Sequence, residues 1–203
     1  MKIGIIAGSH RQNSQSSKVA KFLKKQIELR NGLEANIIDL AGNPFPLWDE
    51  SIWAKDPTWE ALLQEPRQTL NDCDAFIVIS PEWHGQVPAG LKNFFLLFGK
   101  NELGHKPALI TAISSGTGGA YPVAELRMSS YKNNRITYLP EHLILKDVEK
   151  IFNENLLEND ERSHKYLGER FEWCLDILIG YGVALKDVRA TVDVHSDKFG
   201  NGM

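Results

Sequence analysis

The chain has little cysteine: 203 residues include only Cys73 and Cys174. The pair shows neither zinc-knuckle spacing nor a redox CxxC, so both read as buried thiols of a reducing compartment. Long apolar runs are also lacking. No stretch is long enough to span a membrane. The apolar part of the opening MKIGIIAGSH is too short for a signal-peptide core. The expectation is therefore a soluble cytoplasmic protein with no membrane partner. Charge of one sign is scarce as well. Lys and Arg number 23 against 26 Asp and Glu, a net charge of -3, which gives no reason to expect a nucleic-acid partner. Internal repeats and low-complexity segments are absent.

What is present is an alternation. The pattern predicts strands at Ile3–Ala7, Ala35–Leu40, Ala75–Ser80, Ala108–Ser114 and Arg135–Tyr138. Between and after them it predicts helices over Lys18–Arg30, Trp59–Leu70, Pro88–Phe98, Tyr121–Tyr131 and Arg162–Tyr181. The first, third and fourth strands are nearly continuous apolar runs, as expected of strands covered on both faces. Strand and helix in alternation argue for βαβ units. The fold class expected is an α/β, five-stranded, parallel, doubly wound sheet with helices on both faces. Residues 1–190 form one domain in this reading, and residues 191–203, ending HSDKFGNGM, form a polar and loose tail.

Ligands of such sheets bind beyond the carboxyl ends of the strands. Three loops lie there. GSHRQNSQSS follows the first strand and offers the hydroxyls of Ser9, Ser14, Ser16 and Ser17 and the guanidinium of Arg11 at a helix start. A helix start with such donors suits a phosphate. The plainer alternative is a solvated loop with Asn13 or Ser14 as helix cap. No Gly-Lys-Ser/Thr follows and Gly8 is the only glycine, so neither a Walker loop nor the dinucleotide fingerprint is met. PEWHGQVPAGLKN follows the third strand, with Trp83 and His84 between glycines and prolines. SSGTGGAYPVAELR follows the fourth and crowds Gly116, Gly118 and Gly119 together. His84 has no metal partner at sensible spacing.

Together these loops resemble the NADPH-dependent FMN reductase family, a branch of the flavodoxin-like fold. Gly8, Ser9, Arg11 and Ser14 match its GSxRxxS pattern. Pro81, Glu82, Gly85, Pro88, Leu91, Lys92 and Asn93 match PEYNGxxPGxLKN, and SSGTGG and PFPLWDE are also similar. The resemblance implies that Ser9, Arg11, Asn13, Ser14 and Ser16 hold the phosphate of FMN. It implies that Pro81, Glu82, Trp83, His84 and Gly85 line the isoalloxazine ring, and that Ser115, Gly116, Gly118 and Gly119 approach its pyrimidine edge. The chemistry belongs to the flavin, with NADPH or NADH as donor, so no catalytic acid, base or nucleophile is assigned. The chain departs from the family at Trp83-His84, where Tyr-Asn is usual. These two and Trp48 are candidate walls for a small electron acceptor. An FMN electron carrier without nicotinamide oxidation and a flavin-free domain are the competing readings; an acidic docking face is not evident from the net charge.

Family members associate through helices near LKNFFLLFG, which implies a homodimer or homotetramer. In that segment Leu91, Phe94, Phe95 and Phe98 are expected to face the sheet. Leu96 and Leu97 are expected to lie exposed at the contact.

Overall fold

The computed structural model describes residues 1–202. Met203, the end of the expected tail, lies outside the described residues. Five parallel strands, β1 (Lys2–Ala7), β2 (Glu34–Asp39), β3 (Ala75–Pro81), β4 (Pro107–Ile113) and β5 (Thr137–Leu145), are ordered β2-β1-β3-β4-β5. Six helices accompany them: α1 (Gln15–Glu28), α2 (Pro57–Asp72), α3 (Ala89–Leu97), α4 (Lys100–Leu103), α5 (Ala120–Ser129) and α6 (Glu161–Thr191). This is the flavodoxin-like arrangement, and the winding reverses at β1 and β3.

Two cores explain the apolar strands. Ile3, Ile5, Ile77 and Leu109 meet Val19, Leu23 and Ile27 of α1 and Phe171, Leu175 and Leu178 of α6. Ile6, Phe76, Val78 and Ile110 meet Leu63 of α2, Phe94 and Leu97 of α3 and Leu126 of α5 on the opposite face. Every residue of β3 and β4 is buried, whereas the outer strands β2 and β5 are exposed in part. A parallel strand covered on both faces must be apolar throughout, and the outer strands need not be.

Four expectations are corrected. The fifth strand is not Arg135–Tyr138 but Thr137–Leu145. Pro140 reads as a break, yet β5 is an edge strand that bulges there: β4 advances from Ala108 to Ile110 while β5 advances from Tyr138 to His142. A bulged edge tolerates a residue without N–H. Arg127 donates to the carbonyls of Leu139 (2.7 Å) and Pro140 (2.8 Å), which supplies partners for the irregular backbone. The last helix does not end at Tyr181 but continues to Thr191. Gly182 is no stop signal, because a Cβ there would lie 1.9 Å from Met1 Cε. The first helix starts at Gln15, three residues before Lys18, so Gln15, Ser16 and Ser17 are its first turn.

The fourth correction concerns α3. Leu97 is only 4% exposed and belongs to the core, and Phe95 is half-buried at its margin, while Leu96 is 65% exposed as expected. A nine-residue helix that is apolar almost all round has no unique stripe. The set that fits the sheet is Leu91, Phe94, Leu97 and Phe98.

Past Thr191, Arg135 donates to the carbonyls of Val194 (2.8 Å) and Phe199, and a short 3-10 turn covers Asp197–Phe199.

Candidate functional site

The loop after β1 is short and tightly held. Gly8 N–H donates to the carbonyl of Ile79 on β3 at 2.8 Å. A Cβ on Gly8 would stand 2.5 Å from that oxygen, so the position admits only glycine. Ser9 is buried, and its Oγ accepts from Arg11 N at 3.3 Å. Asn13 takes a left-handed φ of 49°, which Asn tolerates better than most residues. Ser14 caps α1: its Oγ accepts from Ser17 N at 3.1 Å and lies 2.9 Å from Ser17 Oγ. Of the two candidate caps, Asn13 and Ser14, it is Ser14 that caps the helix.

Capping takes one N–H and leaves the helix end positive. No acidic residue stands in the first turn of α1, so the dipole and the remaining N–H groups stay available for an anion. Ser16 is 1% exposed, and its buried Oγ has no hydrogen-bond partner among the described residues. A buried hydroxyl without a partner is costly unless a ligand completes it. Arg11 is exposed at the same turn. Hydroxyls, helix N–H groups and a guanidinium are the donor set a phosphate monoester takes. The residues present therefore fit the phosphate of FMN. A cavity of about 1150 Å³ next to this turn runs along α1 toward Phe152 and Asn155, and neither Ser9, Arg11 nor Ser16 lines it.

The loop after β3 makes a two-residue turn. Trp83 and Gln86 exchange both backbone hydrogen bonds, at 3.1 and 2.9 Å. His84 (φ 50°) and Gly85 (φ 70°) sit between them. Two positive φ values in this frame define a type I′ turn, whose usual pair is Asn-Gly. His is among the few residues that accept a left-handed conformation, so His84 can stand where a type I′ turn usually has Asn. That signal was readable in the HG dipeptide. Trp83 packs edge-on against His10 from the first loop, ring centroids 4.7 Å apart. His10 is the contact that sequence reasoning missed. Its Nδ1 is buried and unpartnered among the described residues, and it faces Gly90, where a Cβ would stand 3.0 Å away.

Glu82 joins the second loop to the third. Its Oε2 accepts from Gly119 N at 2.5 Å, and its own N–H donates to the carbonyl of Ile113 at 3.0 Å. Gly119 has φ 121° and precedes the first residue of α5. A Cβ on Gly118 would come within 2.8 Å of Glu82 Oε1. Ser115 and Gly116 are exposed at the tip.

Two further polar residues fix the frame. Asn93 donates to the carbonyl of Pro46 (2.7 Å) and accepts from Trp48 N (2.8 Å), tying the loop after β2 to α3. Glu125 accepts from Val87 N (2.7 Å) and pairs with Lys92 (2.7 Å). Trp48 packs on Trp53 at 4.8 Å and lines a groove of about 670 Å³ with Val87, Phe95 and Leu96. The three loops thus meet at the carboxyl edge, whereas Trp48 faces this groove beside α3.

The chain belongs to the NADPH-dependent FMN reductase family, whose sequence pattern matches residues 1–149. It is 28% identical over 125 residues to a quinone reductase of Pseudomonas putida, an alignment covering 59% of this chain and 63% of that enzyme. The chain thus spans somewhat less than two thirds of that relative's length. To a 2-hydroxy-1,4-benzoquinone reductase of a Burkholderia species it is 26% identical over 171 residues, covering 81% of this chain and 90% of that one. Among solved structures, the flavoenzyme NAD(P)H:(acceptor) oxidoreductase FerB of Paracoccus denitrificans shares the fold. Its TM-score is 0.67 at 22% identity, over 92% of this chain and 97% of that one.

Proposed function

We propose that the chain is an FMN-dependent NAD(P)H oxidoreductase that passes electrons from NADPH or NADH to a small acceptor such as a quinone or a free flavin. The observation that carries this reading is the acid-free start of α1, where buried Ser9 and Ser16 stand beside Arg11 in a member of this family. Ser9, Arg11, Asn13, Ser14 and Ser16 hold the phosphate. The backbone of Pro81, Glu82, Trp83, His84 and Gly85 lies along the ring, and Ser115, Gly116, Gly118 and Gly119 meet its pyrimidine edge. Bound FMN supplies the hydride and electron chemistry. The chain's own part is to orient the ring and to leave one side open to donor and acceptor. Trp83 and His84 shape the acceptor side, with His10 as the support for the indole.

The protein works as a homodimer or homotetramer in this reading. Leu96 and Phe95, with Trp48 and Trp53 across the groove, form the apolar surface that a second copy would cover. The setting proposed is the cytoplasm. Two buried unpaired thiols support it, and no helix among the described residues is long and apolar enough to cross a membrane. The experiment is reconstitution with FMN followed by addition of NADPH or NADH with a quinone. Oxidation of either nicotinamide supports the reading. Bound flavin that neither nicotinamide reduces would leave only an electron carrier.

A further inference from the structure

Helices α1, α3 and α5 all begin at the carboxyl edge of the sheet, and the starts of α1 and α5 are treated differently. The start of α1 has no carboxylate in its first turn and is capped by a neutral hydroxyl, Ser14. The start of α5 has no side-chain cap and no acidic residue of its own. It receives one from another element: Glu82, in the loop after β3, accepts from Gly119 N at 2.5 Å. A carboxylate at a helix start neutralises the positive end that would otherwise attract an anion. Gly118 leaves room for it, since a Cβ there would stand 2.8 Å from Glu82 Oε1 and push the carboxylate aside.

We propose that Glu82 is a positioning residue with two effects. Its hydrogen bond clamps the loops after β3 and β4 to each other, and its charge makes the edge at Gly119 unfavourable for anions. This rests on the flavin-site reading given above. The first effect presents both loops to the ring in one arrangement before any flavin arrives. The second has two consequences. The phosphate of FMN is directed to the start of α1 and away from that of α5. The carboxylate also opposes the negative charge that a hydride, two electrons and one proton, adds to a flavin ring, so onward transfer to the acceptor is favoured. The nicotinamide is oxidised when the hydride leaves it; the flavin is oxidised again when two electrons and that proton pass to the acceptor, and a quinone acceptor takes its second proton from solvent.

The test compares Glu82→Gln and Glu82→Leu with the wild type. The amide of Glu82→Gln can still accept from Gly119 N but carries no charge. Binding of oxidised FMN should stay close to wild type. Reduced FMN should bind about tenfold tighter relative to oxidised FMN, which raises the two-electron potential by about 30 mV. Glu82→Leu removes the acceptor. FMN and riboflavin affinities should then fall by the same factor, about tenfold. Amide exchange over residues 114–119 should accelerate in the flavin-free protein in Glu82→Leu alone. An unchanged ratio of reduced to oxidised affinity in Glu82→Gln would overturn the electrostatic effect. Unchanged exchange in Glu82→Leu would overturn the clamp. A wild type that binds neither FMN nor riboflavin would overturn the flavin-site reading itself, and with it the role of Glu82.

Discussion

Arg11 is the only cation in the turn after β1, between Gly8 and Ser17. Arg11→Ala removes a charge-assisted bond worth about 1.5–3 kcal/mol. FMN affinity should drop roughly ten- to hundredfold, while riboflavin, which has no phosphate, should bind nearly as before. Parallel titrations with the two flavins check this, and equal losses would place Arg11 outside the phosphate site. His84 makes a second case. Its φ of 50° tolerates Asn but resists a β-branched side chain, for which the left-handed region costs about 1–2 kcal/mol. Thermal melts should rank His84→Asn with the wild type and His84→Val below both. The residues of the three loops were legible because their chemistry is local: a serine-rich helix start and a glycine-rich turn announce themselves. The partners across loops were not. Nothing in the order of residues shows that His10 meets Trp83 or that Glu82 reaches Gly119, because those contacts exist only once three separate strands lie side by side.

Elements were legible where one physical demand dominated. Strands β1, β3 and β4 are buried on both faces, so they could hardly be anything but apolar runs. Strand β5 and the end of α6 were obscured by Pro140 and Gly182, residues that usually mark breaks but serve here at a bulge and at a close approach to Met1. In α3, Leu97→Ala should cost about 2–5 kcal/mol of stability because it opens a cavity in the core. Denaturant unfolding should find Leu96→Ala far less costly. The start of β4 offers a pH test. Lys106 is buried and donates its ammonium to the carbonyls of Leu70 (2.8 Å) and Asn71 (3.1 Å) at the end of α2. Burial pulls its pKa down to about 8, partly offset by the nearby Cys73. The folded state therefore holds this proton less tightly than the unfolded chain. Stability from this group grows as pH rises from about 8 toward the ordinary lysine value. Cys73 acts in the opposite direction: burial raises its thiol to about 11, so its contribution is lost as pH climbs toward that value. The stability of wild type relative to Lys106→Met should increase above pH 8, by at most about 1.4 kcal/mol per pH unit. A difference that stays flat from pH 7 to 10 would contradict the burial of a charged Lys106.

At the scale of the whole molecule, the doubly wound sheet is what gathers the loops, because parallel strands deliver all their carboxyl ends to one edge. Family membership and the acid-free start of α1 then bear on a single question, whether this edge holds FMN that a nicotinamide can reduce. Assembly is a separate matter. Sedimentation at micromolar concentration should give a dimer or tetramer, and Leu96→Glu should shift it toward the monomer by placing a charge in the apolar groove. An anaerobic titration of FMN-loaded protein with NADPH and, separately, NADH answers the question of whether this edge holds a reducible FMN. The yellow absorbance of the oxidised flavin should bleach with at least one of them at one equivalent per flavin, because a hydride carries both electrons. It should return when a quinone is added. Protein that takes up no FMN, or whose bound flavin stays yellow under excess of both nicotinamides, would contradict the proposed function.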